Sequence, residues 1–435
     1  MTARRHCAID FGTSNSAVAL PARDGVELVA LEDGFTGMPT AVFYAVEGLK
    51  AYQAPQRLYG RAAIAAYVEG VEGRLMRSMK SILGSELVER STDVGGGHSV
   101  RYLDVIGSYL RHLKATAEAR AGGAIDHVVI GRPVFFVDDE PARDAAAQAA
   151  MERVARDVGF RDVQFQYEPI AAAFDHERSV DREQTVLVAD IGGGTSDFSV
   201  VRIGPQRRTR LDRRDDILAN HGVHAAGTDF DRRIELRGIL PLAGYGAHGP
   251  PRADSGAPRE VPSGIYFDLA TWHLINTCYT PARMLEWRGM REWFADERLH
   301  ARLMTILTQR LGHGLVACAE DAKITLSAAP TAHIDLAPID PHLAVDISEA
   351  QAMDAIAADR ERIVHAARDT LRQAGLAPAR LDAIYFTGGS TGLGTLVQAI
   401  AAVAPQARGV RGDRFASVAT GLGVHAARLY GGVAS

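Results

Sequence analysis

Two short stretches carry the residue types best suited to chemistry. Residues 8–20 read AIDFGTSNSAVAL and residues 188–201 read VADIGGGTSDFSVV. Each sets an aspartate, Asp10 or Asp190, near the end of an apolar run, then glycine, then Thr-Ser-Asn or Thr-Ser-Asp. Gly12, Gly192, Gly193 and Gly194 let backbone N–H groups come close to an anion. The hydroxyls of Thr13, Ser14, Thr195 and Ser196 can bond phosphate oxygens. Carboxylates beside phosphate make sense only with a cation between them. Mg²⁺ keeps several of its waters and uses few carboxylates. Asp10 and Asp190, one from each turn, suit a hydrated Mg²⁺ held from two sides, so the paired turns fit one Mg-nucleotide. A single turn of this kind is more often an ordinary hairpin; the matched pair is the stronger sign. No GxxxxGK[ST] occurs, and a strand rather than a helix is expected after each turn, which excludes a P-loop and a dinucleotide fingerprint.

The elements that must hold these turns follow from periodicity. Residues 7–9 and 17–20 read as strands around the first turn, and 186–189 and 198–203 as strands around the second. Short strands are expected at 42–44 and 128–130. Helices are expected over 60–83, 102–119 and 140–158. Another is expected from 168 to 174, with Pro169 at a favourable first position. Alternating strands and helices give an α/β class. The segment IDHVVIGRP at 125–133 is similar to LDAIYFTGG at 381–389, so each half repeats a hairpin and a later strand ending in a glycine loop. This predicts a duplicated domain, with halves 1–184 and 185–435 and a ligand cleft between them. Residues 242–264, rich in glycine and proline, are expected to form an exposed insertion in the second half.

Composition sets broader limits. The chain has 435 residues, 47% apolar and 23% charged, ordinary values for a folded protein. A net charge of −5 gives no sign of a nucleic-acid-binding surface. Cys7, Cys278 and Cys318 are scattered and odd in number, which argues against a disulfide framework and fits a reducing compartment. No apolar run approaches the ~18 residues of a membrane span, and polar residues interrupt the signal-like start. A cytoplasmic location without membrane or nucleic-acid partners is the expectation.

Taken together, these segments resemble the heat-shock protein 70 (DnaK-type) chaperone ATPases of the actin, hexokinase and heat-shock ATPase superfamily. The two turns resemble that family's first and second phosphate signatures, and IYFTGGSTGLG at 384–394 its third. YEPIAAAF at 167–174, AAGTDFDRRI at 225–234, AEDAKITLS at 319–327, MRSMKSILG at 76–84 and FDLATWHLIN at 267–276 resemble further family segments, in family order. The resemblance implies a duplicated two-lobed actin-like (ribonuclease-H-like) α/β ATPase fold with a central nucleotide cleft, binding ATP/ADP and Mg²⁺.

Residue by residue, it implies that Asp10 and Asp190 bind Mg²⁺ through water. Gly12, Thr13 and Ser14 would wrap the phosphates from one side, and Gly192, Gly193, Gly194 and Thr195 from the other. Glu168 and Asp197 would help order the attacking water or the Mg²⁺ shell, Thr195 would sit with the catalytic set, and Lys80, on a helix, would place its ammonium by the γ-phosphate. Gly227, Gly388 and Gly389 would line the nucleotide, while Glu320, Lys323 and Ser327 would bond ribose and adenine. Read alone, Lys80 is a surface lysine, Glu168 a helix-start acid, and Glu320 with Lys323 a surface ion pair. Pro133 and Arg143 resemble the family's interdomain switch, with an extra stretch at 138–141 altering their spacing. Two positions depart from the pattern: Gly392 replaces an adenine-stacking arginine and Phe415 an adenosine-side aspartate.

The expected function is an ATP-hydrolysing, chaperone-like protein with a protein client or co-chaperone of unknown identity. Too few residues follow Gly421 for a peptide-binding domain, so none is expected. A nucleotide-gated binding module with negligible hydrolysis and a small-molecule kinase of the same superfamily are the rival readings.

Overall fold

Strict alternation governs the first strand. In His6–Phe11, the residues Cys7, Ile9 and Phe11 face one side and His6, Ala8 and Asp10 the other. The computed structural model describes residues 5–23, 25–50, 53–83, 85, 87–137, 140–251, 256, 258–413 and 416–431. Cys7, Ile9 and Phe11 join a core with Val105, Ile106, Tyr109 and Leu113 of the helix Tyr102–Ala121 and Met151 and Val154 of the helix Pro141–Asp157. Ala8 belongs to a second core, shared with Val186 and Val188 of the strand Gln184–Ile191. Asp10 shares its parity with Ala8, and Asp190 with Val186 and Val188, so both aspartates lie on the faces that enclose this second core.

The chain divides into two compact units. The first comprises Met1–Gly222, Ala366–Gly389 and Ala401–Ser435; the second comprises Val223–His365 and Ser390–Ile400. Within the first unit, one sheet runs in the order Asp162–Tyr167, His127–Arg132, His6–Phe11, Asn15–Ala22, Gly25–Leu28, with Gly37–Pro39 also paired to Asn15–Ala22. A second sheet runs Arg408–Arg411, Ala383–Thr387, Gln184–Ile191, Ser196–Ile203, Ile217–Val223. Each has a central antiparallel hairpin flanked on one side by two parallel strands. The same order occurs twice, with 125–133 and 381–389 at corresponding places.

Two helices lie in the core between these sheets. Glu168–Ser179 supplies Ile170, Ala171 and Phe174, and Ser417–Tyr430 supplies Leu422, Ala426 and Tyr430. They approach so closely that a Cβ on Gly421 would stand 1.9 Å from the carbonyl oxygen of Ala171. Any larger residue there would push the helices apart and shift Glu168, at the start of its helix.

The single helix expected over 60–83 is not formed. Gly60–Val68 is helical, and Gly70, at φ +79°, ends it. Gly73–Arg77 is then a strand paired antiparallel with Ala41–Ala45. Lys80 consequently sits in a short 3₁₀ turn, Met79–Ile82, rather than on an α-helix.

The second unit contains the helices Gly227–Ile234, Glu297–Thr308 and Gly312–Leu326 and the hairpin Thr331–Asp335 with Ala344–Ser348. Part of the loop-rich stretch 242–264 is ordered as paired short strands, His248–Pro251 and Pro258–Glu260. No helix among the described residues is long and apolar enough to cross a membrane.

Candidate functional site

The first unit brings the two glycine turns together. A Cβ built on Gly193 would lie 2.6 Å from Ser14 Oγ, so the turns touch at a place where only glycine fits without displacement. In the second turn the Gly192 N–H donates to Thr195 O (3.0 Å). Thr195 Oγ1 donates to Asp197 Oδ2 (2.8 Å). In the first turn, Thr40 is the brace: its hydroxyl donates to Gly12 O (2.8 Å), its N–H donates to Ser14 O (2.8 Å), and it shares a hydrogen bond with Ser16 (2.8 Å). Thr40 lies 24 residues beyond Ser16, and no local pattern marked it.

Strand ends and one helix start place the charged groups. Asp10 and Asp190 are the penultimate residues of corresponding strands. Glu168 opens its helix ahead of Pro169, directly after the strand Asp162–Tyr167. Lys80 donates a hydrogen bond to Glu168 Oε1, and the pair is mostly shielded from solvent. Asp190 lies beside Thr387 of the parallel strand and across from Asp197. Gly388 follows at φ +86°, and a Cβ there would come within 2.4 Å of Ile191 O and 2.5 Å of Asp190 Oδ1. Gly389 opens the next 3₁₀ turn.

The electrostatics are those of crowded carboxylates. Burial, then the charge of Glu168, raises Asp10 to about 7 against the pull of Lys80. Burial, then Asp197, Glu168 and Asp10, raises Asp190 to about 7 as well. For Lys80, burial alone would lower the pKa, but Glu168, Asp10 and Asp197 outweigh it and the net shift is upward. Four acids around one ammonium leave an excess of negative charge once ionised. Among the described residues, no group of three or more His, Cys, Asp or Glu is close enough to hold an ion directly. Two carboxylates, Asp10 and Asp190, one from each turn, fit a hydrated dication approached by few carboxylates, which is the habit of Mg²⁺.

The adenosine-side candidates lie mainly in the second unit. Gly227 opens the helix Gly227–Ile234, and its carbonyl accepts from Lys323 Nζ (3.2 Å). Lys323 pairs with Asp231 (2.6 Å) rather than with Glu320, three residues away. Asp231 is raised to about 6 by burial, with Lys323 opposing the rise. It lies inside the AAGTDFDRRI segment but was not singled out by sequence; a buried acid aligned with Lys323 needs the tertiary contact to be seen. Glu320 is exposed. Ser327 donates its hydroxyl to Ile324 O (2.7 Å) at the end of its own helix. Gly392 ends the turn Gly389–Gly392, and Phe415 lies outside the described residues. Arg143 pairs with Glu140 near the surface, whereas the neighbour of Pro133, Arg132, is buried and binds Asp144 through two hydrogen bonds (3.0 and 2.9 Å).

Twin sheets with paired aspartate-glycine turns are the actin-like ATPase fold. A family model described as "Hsp70 protein" matches residues 7–235, and the chain belongs to the Hsp70 family. The chaperone protein DnaK of Thermotoga neapolitana is 31% identical over 229 residues, which cover 52% of this chain and 34% of that relative. The alignment thus spans about a third of the relative's length.

Proposed function

We propose that this chain is an Hsp70-like, ATP-binding chaperone protein whose first unit hydrolyses ATP. The observation that carries the reading is the meeting of the Asp10 and Asp190 turns around Lys80, Glu168 and Asp197. Gly12, Thr13, Ser14, Gly192, Gly193, Gly194 and Thr195 offer backbone N–H groups and hydroxyls to the phosphates. Lys80 holds positive charge where the transferred phosphoryl group gains negative charge, and this stabilises the transition state more than bound ATP. Glu168 fixes the Lys80 ammonium by accepting its hydrogen bond. Asp197, held by Thr195, and Glu168 can accept hydrogen bonds from the attacking water and orient it. Mg²⁺, held through water by Asp10 and Asp190, would neutralise phosphate charge. Gly227, Gly388, Gly389, Glu320, Lys323 and Ser327 are proposed to line the nucleoside side. The halves 1–184 and 185–435 are proposed to descend from one duplicated domain, and a protein client or co-chaperone is the proposed partner.

The test is steady-state phosphate release from ATP with Mg²⁺ and no added acceptor. Sustained release supports an ATPase. Stoichiometric binding without turnover would favour a nucleotide-gated binding module, and release that requires an added acceptor would favour a kinase.

A further inference from the structure

The first unit contains a polar cavity whose lining includes no residue of the phosphate turns. It has a volume of about 530 Å³ and is lined by the hairpin Ser91–Gly95/His98–Arg101 and by the helices Tyr102–Ala121 and Pro141–Asp157, with Tyr44 and Arg57 closing another side. Helical spacing explains the lining. Asp104, Ser108 and Arg111 are three and four residues apart on one helix, and Arg153 and Asp157 are four apart on the other, so each helix presents one polar stripe.

Charge pairing in the cavity is incomplete. Arg101 is bound to Asp104 (2.9 and 2.8 Å) and Arg153 to Glu89 (3.3 Å). Among the described residues, Arg111 has no carboxylate partner. Arg57 has none either and only approaches the ring of Tyr44, 6.0 Å from its centroid. Among the described residues Asp157 makes no direct ion pair, though its charge acts on Arg101 from a distance. Two guanidiniums are therefore available to an anion, and one carboxylate and the Ser91 and Ser99 hydroxyls to hydrogen-bond donors and acceptors. The uncapped start of the helix Tyr102–Ala121, beside Arg101 and Leu103, adds positive potential.

We propose that this cavity is a binding site for a phosphorylated polyol, with the phosphate on Arg57 and Arg111 and the hydroxyls on Asp157 and the two serines. Two guanidiniums match one phosphate group. The acids on the rim disfavour polyanions, and a volume of this size suits a small molecule. The proposal is independent of the nucleotide reading.

Isothermal titration of the full chain with glucose 6-phosphate tests it, with glucose and inorganic phosphate as separate arms. Saturable binding of glucose 6-phosphate is expected, tighter than either fragment. Arg57→Gln and Arg111→Gln should each weaken it by about tenfold, as for one lost charge-assisted hydrogen bond. Both side chains are exposed, and unchanged melting temperatures would confirm that the variants fold. Asp157→Asn should weaken glucose 6-phosphate but not inorganic phosphate, and Lys80→Ala should leave binding intact. Absence of saturable binding, equal binding of glucose or of phosphate, or indifference to Arg57 and Arg111 would overturn the proposal.

Discussion

Asp190 stands directly across its hairpin from Asp197, whereas Asp10, at the corresponding place in the first hairpin, stands across from Ala17. Directly opposed residues bring their Cβ atoms to roughly 5 Å, and like charges so placed destabilise each other. The duplicated hairpins are thus chemically unequal: one carries a single acid on its inner face and the other a pair.

This inequality is open to titration. Burial is the first cause of the raised Asp190 pKa and Asp197 the second. In Asp197→Ala the Asp190 carboxyl should titrate below its wild-type value of about 7, read by carbon NMR of the carboxyl group. An unmoved titration would mean that Asp197 is too well screened to matter.

The raised acids also make stability depend on pH. Asp10 and Asp190 keep their protons to about pH 7 in the folded, metal-free protein, but lose them near 3.8 when unfolded. Between these values the folded state binds more protons, so its stability falls as pH rises toward and through 7. A dication favours the ionised acids and should remove this penalty. Mg²⁺ is therefore expected to raise Tm more at pH 8 than at pH 5, measured by calorimetry. An equal rise at both pH values would separate the ion from these carboxyls.

On the proposed reading, Lys80 serves chemistry more than binding. Lys80→Ala should slow phosphate release ~10²–10³-fold, the usual loss for one positioned transition-state donor. ADP affinity, measured by titration, should change far less. Wild-type turnover in this variant would reduce the Lys80–Glu168 bond to a structural ion pair.

Gly388 tests how tightly the backbone seats Asp190. An alanine there must adopt a positive φ and also clear Ile191 O and Asp190 Oδ1. Gly388→Ala should cost about 1–3 kcal/mol of stability and lower the denaturant midpoint. A midpoint equal to wild type would show that the turn relaxes freely.

The two turns were legible in the sequence because their chemistry is local: aspartate, glycine and hydroxyls lie within a few residues. The faces on which Asp10 and Asp190 lie were not legible, because both strands are apolar on either side and are buried on both faces. Lys80 was identified, but its helix was not formed, since Gly70 ends the helix and Gly73–Arg77 finds a strand partner about thirty residues earlier in the chain. Thr40, Asp231 and Arg132 were missed for a related reason. Each acts through a side chain whose partner is remote in sequence or whose burial depends on the assembled core, so neither spacing nor periodicity shows it.

The central claim is that the two hairpins serve one Mg-nucleotide site. It is tested most directly by Mg²⁺-dependent phosphate release in Asp10→Asn, Asp190→Asn and the double variant. Each single variant should lose activity, and the double should lose less than the sum, with a coupling of roughly 0.5–3 kcal/mol. Wild-type rates in either single variant, or strictly additive losses, would contradict a shared site.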